Sequence, residues 1–264
     1  MDLGIQGKKA IVNGGSAGMG KGKGSVRALA VEGVELYVSA RGEERLINAC
    51  EEIAADTGAN ITPIVADHST DEGRERILAA CPEPDILVGT CSPPPVTGDY
   101  REISASDWQA TLDMTLLSPV QFMQATINGM AERGWGRIVN IATVAAKYPA
   151  EFRILSGPPR AALVNYSVAV AKKVAKHNVM INNILPGMYH TATIRDNFTA
   201  LAEEKGTTYD EIVESLVKQW RIPANKFGDP DDLGNFVALF CSEFADFVTG
   251  QSLVMDDGIT NSTF

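Results

Sequence analysis

Paired cysteines, clustered histidines, basic runs and membrane-length apolar stretches are all missing from this chain. Cys50, Cys81, Cys91 and Cys241 lie far apart with no CxxC spacing, which argues against a zinc cluster, a redox dithiol or a disulfide framework and predicts reduced thiols. His68, His177 and His190 make neither an HxxxH nor an HExxH pattern, so no protein-held metal is expected. Acidic residues outnumber basic ones, 33 to 23, for a formal net charge of −10. That balance disfavours a nucleic-acid backbone or an anionic membrane as partner, since both select for clustered Lys and Arg. No uninterrupted apolar run reaches the ~18 residues of a membrane span, and Met1 to Lys9 has no apolar core of signal-peptide length. A soluble, cytoplasmic protein is the expectation.

What is present suits one α/β domain. The chain has 264 residues, 45% hydrophobic and 21% charged, enough for a sizeable single core. Lys8 to Val12 is a short apolar run ending at Asn13-Gly14-Gly15-Ser16-Ala17-Gly18-Met19-Gly20, and a helical pattern follows from Ser25 to Glu32. Strand, glycine loop and helix in that order form a nucleotide-binding arrangement, although glycine runs also serve as ordinary turns. Gly14, Gly18 and Gly20 let the backbone turn and approach a pyrophosphate, and the amides of Ser16, Met19 and the helix start supply donors. Lys21-Gly22-Lys23-Gly24 reads as a duplicated Lys-Gly. Two extra residues rotate a helical face by ~200°, so an irregular first turn is expected there.

Val34 to Ala40 reads as the second strand and ends in Ser39-Ala40-Arg41. An acidic residue at such a position accepts from an adenosine 2′-hydroxyl, whereas guanidinium attracts a 2′-phosphate. Ala40-Arg41 therefore points to NADP(H) over NAD(H), the alternative being a solvated Arg in a polar turn. Beyond it the pattern alternates: helix 43–55, strand 61–66, helix 72–80, strand 85–89, long helix 107–132, strand 136–141, helix 159–176 and strand 179–185. This alternation predicts a parallel sheet with helices on both faces.

Several motifs in this order give the chain its resemblance to the short-chain dehydrogenase/reductase family, in its 3-oxoacyl-ACP reductase-like form, over about residues 5 to 258. Asn13 to Gly20 looks like TGxxxGxG. Asp67 follows the third strand where the family's adenine-contacting Asp lies, and Gly136-Arg137-Ile138-Val139-Asn140-Ile141 is close to the family's fifth strand. Pro186-Gly187 with Thr191 resembles PGxxxT, and Gly228-Asp229-Pro230 through Thr249-Gly250-Gln251 resembles the C-terminal segment. The resemblance implies an α/β, single-domain Rossmann fold over 1–264: a doubly wound parallel sheet of about seven strands, with a lid-like segment at about 191–222. It also implies a small-molecule carbonyl or alcohol substrate and a homotetramer or homodimer. The paired surface would use helices 107–132 and 159–176, with Val164, Val168 and Ala171 on a shared face.

The departures from that family gather at its chemistry. The family's NNAG is Gly89-Thr90-Cys91-Ser92, its helix Asn falls on Thr115, and its catalytic Ser falls on Thr143. Counting back 30 residues from Pro186, or forward 13 from Thr143, puts the Tyr of YxxxK on Ser156 and the Lys on Arg160. The resemblance thus assigns catalysis to Thr143, Ser156 and Arg160, with Arg160 also holding the nicotinamide ribose. Ser156 reads equally well as an N-cap ahead of Pro158 and Pro159. Guanidinium stays protonated and relays no proton, so Lys147 is a candidate acid if burial lowers its pKa, and Tyr148 and His190 are others. Tyr166 lies ten residues past Ser156, ~15 Å along a helix, and reads as packing. Competing readings are a lyase, such as the halohydrin dehalogenases that place Arg at the lysine position, and a catalytically silent scaffold.

Overall fold

The computed structural model describes residues 2–14, 20–96 and 99–260. The elements run β1 (Lys9–Asn13), α1 (Lys21–Val31), β2 (Glu35–Ala40), α2 (Glu43–Thr57), β3 (Ile61–Val65), α3 (Asp71–Ala80) and β4 (Ile86–Gly89). Then come α4 (Ala105–Leu112), α5 (Ser118–Glu132), β5 (Gly136–Ile141), α6 (Gly157–Val174), β6 (Val179–Pro186), α7 (Ala192–Lys205), α8 (Tyr209–Gln219), α9 (Pro230–Cys241) and β7 (Ser252–Met255). The seven strands form one parallel sheet in the order β3-β2-β1-β4-β5-β6-β7. Strand order reverses between β1 and β4, and crevices of such sheets open beyond the carboxyl ends there.

The strands read as continuous apolar runs because both faces are covered. On one face Val26 and Leu29 of α1, Leu46 and Ile53 of α2, and Leu233 and Val237 of α9 make one core. On the other, Ile77 of α3, Phe122, Met123 and Met130 of α5, and Leu163 and Ala171 of α6 make the second. Every residue of β5 and β6 is buried. Asn140 of β5 bonds both out of and within the sheet: its Nδ2 donates to Ser167 Oγ of α6 at 3.0 Å and to Asn183 Oδ1 of β6 at 3.3 Å.

Two expectations change here. The segment 107–132 is not one regular helix, because a π-turn at Asp113–Leu117 joins α4 to α5. Its bulge carries Thr115, whose hydroxyl donates to the Thr111 carbonyl at 2.7 Å. The Lys21–Gly24 repeat makes no irregular turn: α1 is helical from Lys21, with Gly24 N–H bonded to the Gly20 carbonyl at 3.2 Å. Helix packing demands this regularity, since a Cβ on Gly24 would lie 2.2 Å from the Pro230 carbonyl oxygen and one on Gly234 only 2.1 Å from that of Gly24. The backbones of α1 and α9 touch at this crossing.

The segment at 191–222 folds as α7 and α8 around a third small core of Val213, Val217, Ile222 and Phe227. Phe198, Leu216 and Trp220 pack against it. No helix is long and apolar enough to cross a membrane, and no group of three or more His, Cys, Asp or Glu is placed to hold a metal, among the described residues.

Candidate active site

The carboxyl ends of β1, β2 and β3 build the first half of the crevice. Asn13 is buried and accepts from Ser39 Oγ at 2.8 Å. Gly14 follows with φ +75°, and a Cβ there would stand 2.6 Å from the Thr90 carbonyl oxygen. Only glycine satisfies both demands. Gly20 N-caps α1 without a side-chain cap bond, and the first turn holds no acid. The start of α1 therefore offers uncompensated amides to an anion, which suits a dinucleotide pyrophosphate. Ser16, Gly18 and Met19 lie outside the described residues.

Arg41 and Asp67, assigned separately in the sequence, meet at the ends of β2 and β3 with Nη1 3.8 Å from Oδ2. Burial opposes the ionised Asp67, but hydrogen bonds from Ser69 and the charge of Arg41 outweigh it and hold the carboxyl below its usual range. The neighbouring His68 is pushed down to about 4, chiefly by burial, and its Nδ1 lies 2.8 Å from Ser118 Oγ. It lines a narrow cavity that reaches Cys91, Thr115 and Arg160.

The second half comes from the ends of β4, β5 and β6. Ser156 and Arg160 are both buried, and Arg160 Nη1 donates to Ser156 Oγ at 2.9 Å. Its Nη2 donates to Cys91 Sγ at 3.0 Å. Ser156 is consequently no cap: its backbone is already helical and its side chain makes no cap bond, because the hydroxyl serves Arg160. Thr143 bonds instead to the Ala145 N–H, at 3.4 Å. It joins neither Ser156 nor Arg160 by a hydrogen bond among the described residues. The two segments are nonetheless in contact, since a Cβ on Gly157 would come within 2.8 Å of the Ala145 carbonyl oxygen.

After β6, Pro186 is buried, and Gly187 packs so tightly on Asp256 that a Cβ would lie 2.7 Å from the Asp256 Cβ. Thr191 caps α7, accepting from the Ile194 N–H at 3.4 Å. His190 turns toward α8, its Nδ1 2.7 Å from the Tyr209 hydroxyl and its ring beside Phe227.

Lys147 fails the condition set for it as an acid, since it is exposed and lies over the Tyr148 ring at 5.4 Å. Tyr166 packs against the core under α6, as expected. Ala171 is fully buried in that core, which corrects its assignment to an exposed face shared with Val164 and Val168. Packing against the sheet removes it from any intersubunit surface.

The sequence reading missed Lys21. It is half-buried overall, but its amine end is enclosed, 5.3 Å over the buried Tyr189 ring. Burial first, and then the charges of Arg160 and Arg153, bring its pKa down to about 7, with Cys91 working in the opposite direction. Arg153, from the 3₁₀ turn Glu151–Arg153 ahead of α6, is itself lowered by burial and by Arg160. A lysine directly after the last glycine of the loop occupies the helix start facing the crevice. That placement was the available signal.

Known proteins match this chain over nearly its whole length. A family model described as enoyl-(acyl carrier protein) reductase matches residues 15–260. The 3-oxoacyl-[acyl-carrier-protein] reductase FabG of Aquifex aeolicus is 28% identical, covering 98% of this chain and 100% of that protein. Human dehydrogenase/reductase SDR family member 4 is 27% identical over 95% of this chain and 87% of its own length. Among solved structures, L-sorbose reductase from Gluconobacter frateurii, complexed with NADPH and L-sorbose, superposes with a TM-score of 0.93 at 26% identity, covering 99% of this chain and 100% of that one. The glycine-lined switch point, the Pro186-Gly187 turn and a family match over most of the sequence lead to one assignment: the chain belongs to the short-chain dehydrogenase/reductase family, an oxidoreductase family.

Proposed function

We propose that this protein is an NADP(H)-dependent oxidoreductase that interconverts a ketone and a secondary alcohol through a Ser/Thr/Arg site. The observation that carries the reading is the phosphate seat that Gly14, pressed against the Thr90 carbonyl, and the uncapped start of α1 would frame. A lyase has no need of such a seat. Arg41 at the end of β2 supports a preference for the 2′-phosphate, since its only carboxylate partner among the described residues is Asp67 at 3.8 Å. The relatives' reductase names and the NADPH in the sorbose reductase structure agree with this choice.

Bound nicotinamide would supply the hydride, and the chain's own groups would handle the oxygen. Arg160 donates to Ser156 Oγ, so the serine's own hydrogen is left to point at a substrate carbonyl. The guanidinium polarises that hydroxyl and makes it a better donor. Thr143, on the adjacent segment, is the second hydroxyl. General acid–base help is worth ~10²–10⁴ in rate, while orienting two reactants contributes ~7–11 kcal/mol; a site with a weakened acid retains most of its advantage. The cofactor choice and the reaction are tested together by following NADPH and NADH oxidation at 340 nm with a ketone panel. Turnover with NADPH well above that with NADH is expected, and binding of neither nucleotide sinks the reading. Assembly as a homotetramer or homodimer through α4–α5 and α6 belongs to the same reading, with Val164 and Val168 but not Ala171 on the paired face.

A further inference from the structure

We propose that Cys91 is an oxidation site, where a small hydroperoxide converts the sulfur to a sulfenic acid held by Arg160. Three of the four thiols are sealed away, Cys50 and Cys241 in the core on one face of the sheet and Cys81 in the core on the other. Burial pushes Cys50 and Cys81 up to about 11 and Cys241 up to about 12, whereas the thiolate is the form that reacts. Cys91 differs from all three. It is only partly buried, it lines the narrow cavity at the carboxyl ends of β1, β4 and β5, and its Sγ accepts from Arg160 Nη2 at 3.0 Å.

Arg160 points to an anion independently of the thiol. Its residue is 4% exposed, it lines the same cavity, and it enters no ion pair within 4.0 Å among the described residues. A buried guanidinium keeps its charge and is costly until that charge is balanced. Its other bonds go to the Ser156 hydroxyl at 2.9 Å and the Ser156 carbonyl at 3.3 Å, both neutral. Among the described residues the sulfur is thus the bonded group that can take on the balancing charge.

The cavity sets the size of the product. It offers about 20 Å³ of room, and one water needs ~10–15 Å³. A single added oxygen fits there; the bulky partner of a mixed disulfide does not. In the step, the thiolate sulfur attacks one oxygen of the hydroperoxide and the O–O bond breaks. The hydroxide or alkoxide that leaves takes up a proton, so sulfur is oxidised by two electrons and the peroxide is reduced by two. With the other cysteines held in the two cores, Cys91 has no resolving thiol and its sulfenic acid persists. The guanidinium that holds the sulfur also holds Ser156 Oγ, which makes oxidation of Cys91 a control on the site. That consequence rests on the oxidoreductase reading; the modification itself does not.

The test exposes the full-length protein to hydrogen peroxide with dimedone, which traps sulfenic acids, and locates the adduct by peptide mass spectrometry. Cys91 should be labelled at least about tenfold faster than Cys50, Cys81 or Cys241. Arg160→Met should slow that labelling by about tenfold or more, the worth of one charge-assisted hydrogen bond, and Arg160→Lys should recover part of the rate. Labelling that begins at another cysteine, or spreads evenly over the four, overturns the proposal even where Arg160→Met fails to fold. Equal rates at Cys91 in the wild type and in folded Arg160→Met also overturn it, by removing the guanidinium from the reaction. Without dimedone, peroxide should abolish NADPH-dependent ketone reduction in the wild type, with recovery in dithiothreitol, while Cys91→Ala keeps its own untreated activity. Equal inactivation of Cys91→Ala overturns the control on the site. Should no ketone be reduced by untreated protein, the oxidoreductase reading fails, and the dimedone labelling decides the oxidation site alone.

Discussion

The two ends of the crevice treat charge in opposite ways. At the ends of β2 and β3 Arg41 faces Asp67 across 3.8 Å, with the arginine side chain 58% exposed. At the head of α6 Arg160 is buried, bonded to Ser156 and Cys91, and it has no carboxylate within 4.0 Å among the described residues. Exposed pairs are worth little and exchange partners easily, so Arg41 can leave Asp67 for a phosphate at small cost. Buried uncompensated charge is expensive until something neutralises it. One end is ready to trade a partner, and the other lacks one.

The most damaging way to disturb this contrast is to remove the guanidinium shared by Cys91 and Ser156. Arg160→Ala should lower kcat/KM by about 100-fold or more and weaken NADPH binding with it, because an ordered charge and the polarisation of Ser156 disappear together. Steady-state kinetics with a parallel fluorescence titration of NADPH reads both; unchanged kinetics would remove Arg160 from the site. Ser156→Ala keeps the charge and deletes the hydroxyl. It should lower kcat by about 10- to 100-fold with little change in NADPH affinity, since an oxygen-polarising group acts mainly in the transition state. Tyr166→Phe serves as its control and should change neither. A dead Tyr166→Phe beside an active Ser156→Ala would shift the catalytic assignment to another part of α6.

At the opposite end, Arg41→Ala should reduce the NADPH-over-NADH preference by about tenfold, the worth of one charge-assisted contact of ~1.4 kcal/mol. Equal affinities for the two nucleotides in the wild type would already refute the role. The smallest effect is expected at the seam between the ends. His68 is held at about 4, below the ~6.5 of an unfolded histidine, so the unfolded chain binds the extra proton first. Stability should therefore fall as pH drops from about 6.5 to 4, and should be flat with respect to this residue above that window. Melting temperatures at pH 7 and 4.5 should differ less in His68→Gln than in the wild type. An identical difference in both would mean that other groups govern the acid limb.

Local pattern made the strands, most helices and the turn at Gly14 legible, because each rests on periodicity or on a backbone demand visible within a few residues. That Ser156 and Arg160 stand four residues apart at the head of a helix was legible by counting along the chain. Their hydrogen bond was not, since Ser156 looks like an N-cap until Arg160 turns back to claim it. The π-turn at Thr115 leaves no periodic trace strong enough to read. Ala171 looked like a surface residue because helical spacing cannot tell which of two apolar faces meets the sheet. Lys21 was missed for a tertiary reason: its low pKa comes first from burial and then from Arg160 and Arg153, which lie 139 and 132 positions further along the chain.

The doubled Lys-Gly at the head of α1 divides its labour. The first lysine, Lys21, lies 5.3 Å over the Tyr189 ring, while the second, Lys23, reaches Glu52 of α2 at 2.6 Å. The second glycine is the one that lets α9 cross. Deleting either copy yields the same shortened sequence, Gly-Lys-Gly-Ser, so the experiment offers no choice of which copy remains. With the crossing at Pro230 fixing which glycine must survive in place, the remaining lysine inherits the post of Lys23. The Tyr189 ring then loses the lysine over it and the helix keeps its brace, as when one of two duplicated parts is lost and only the post held in place by its neighbours is refilled.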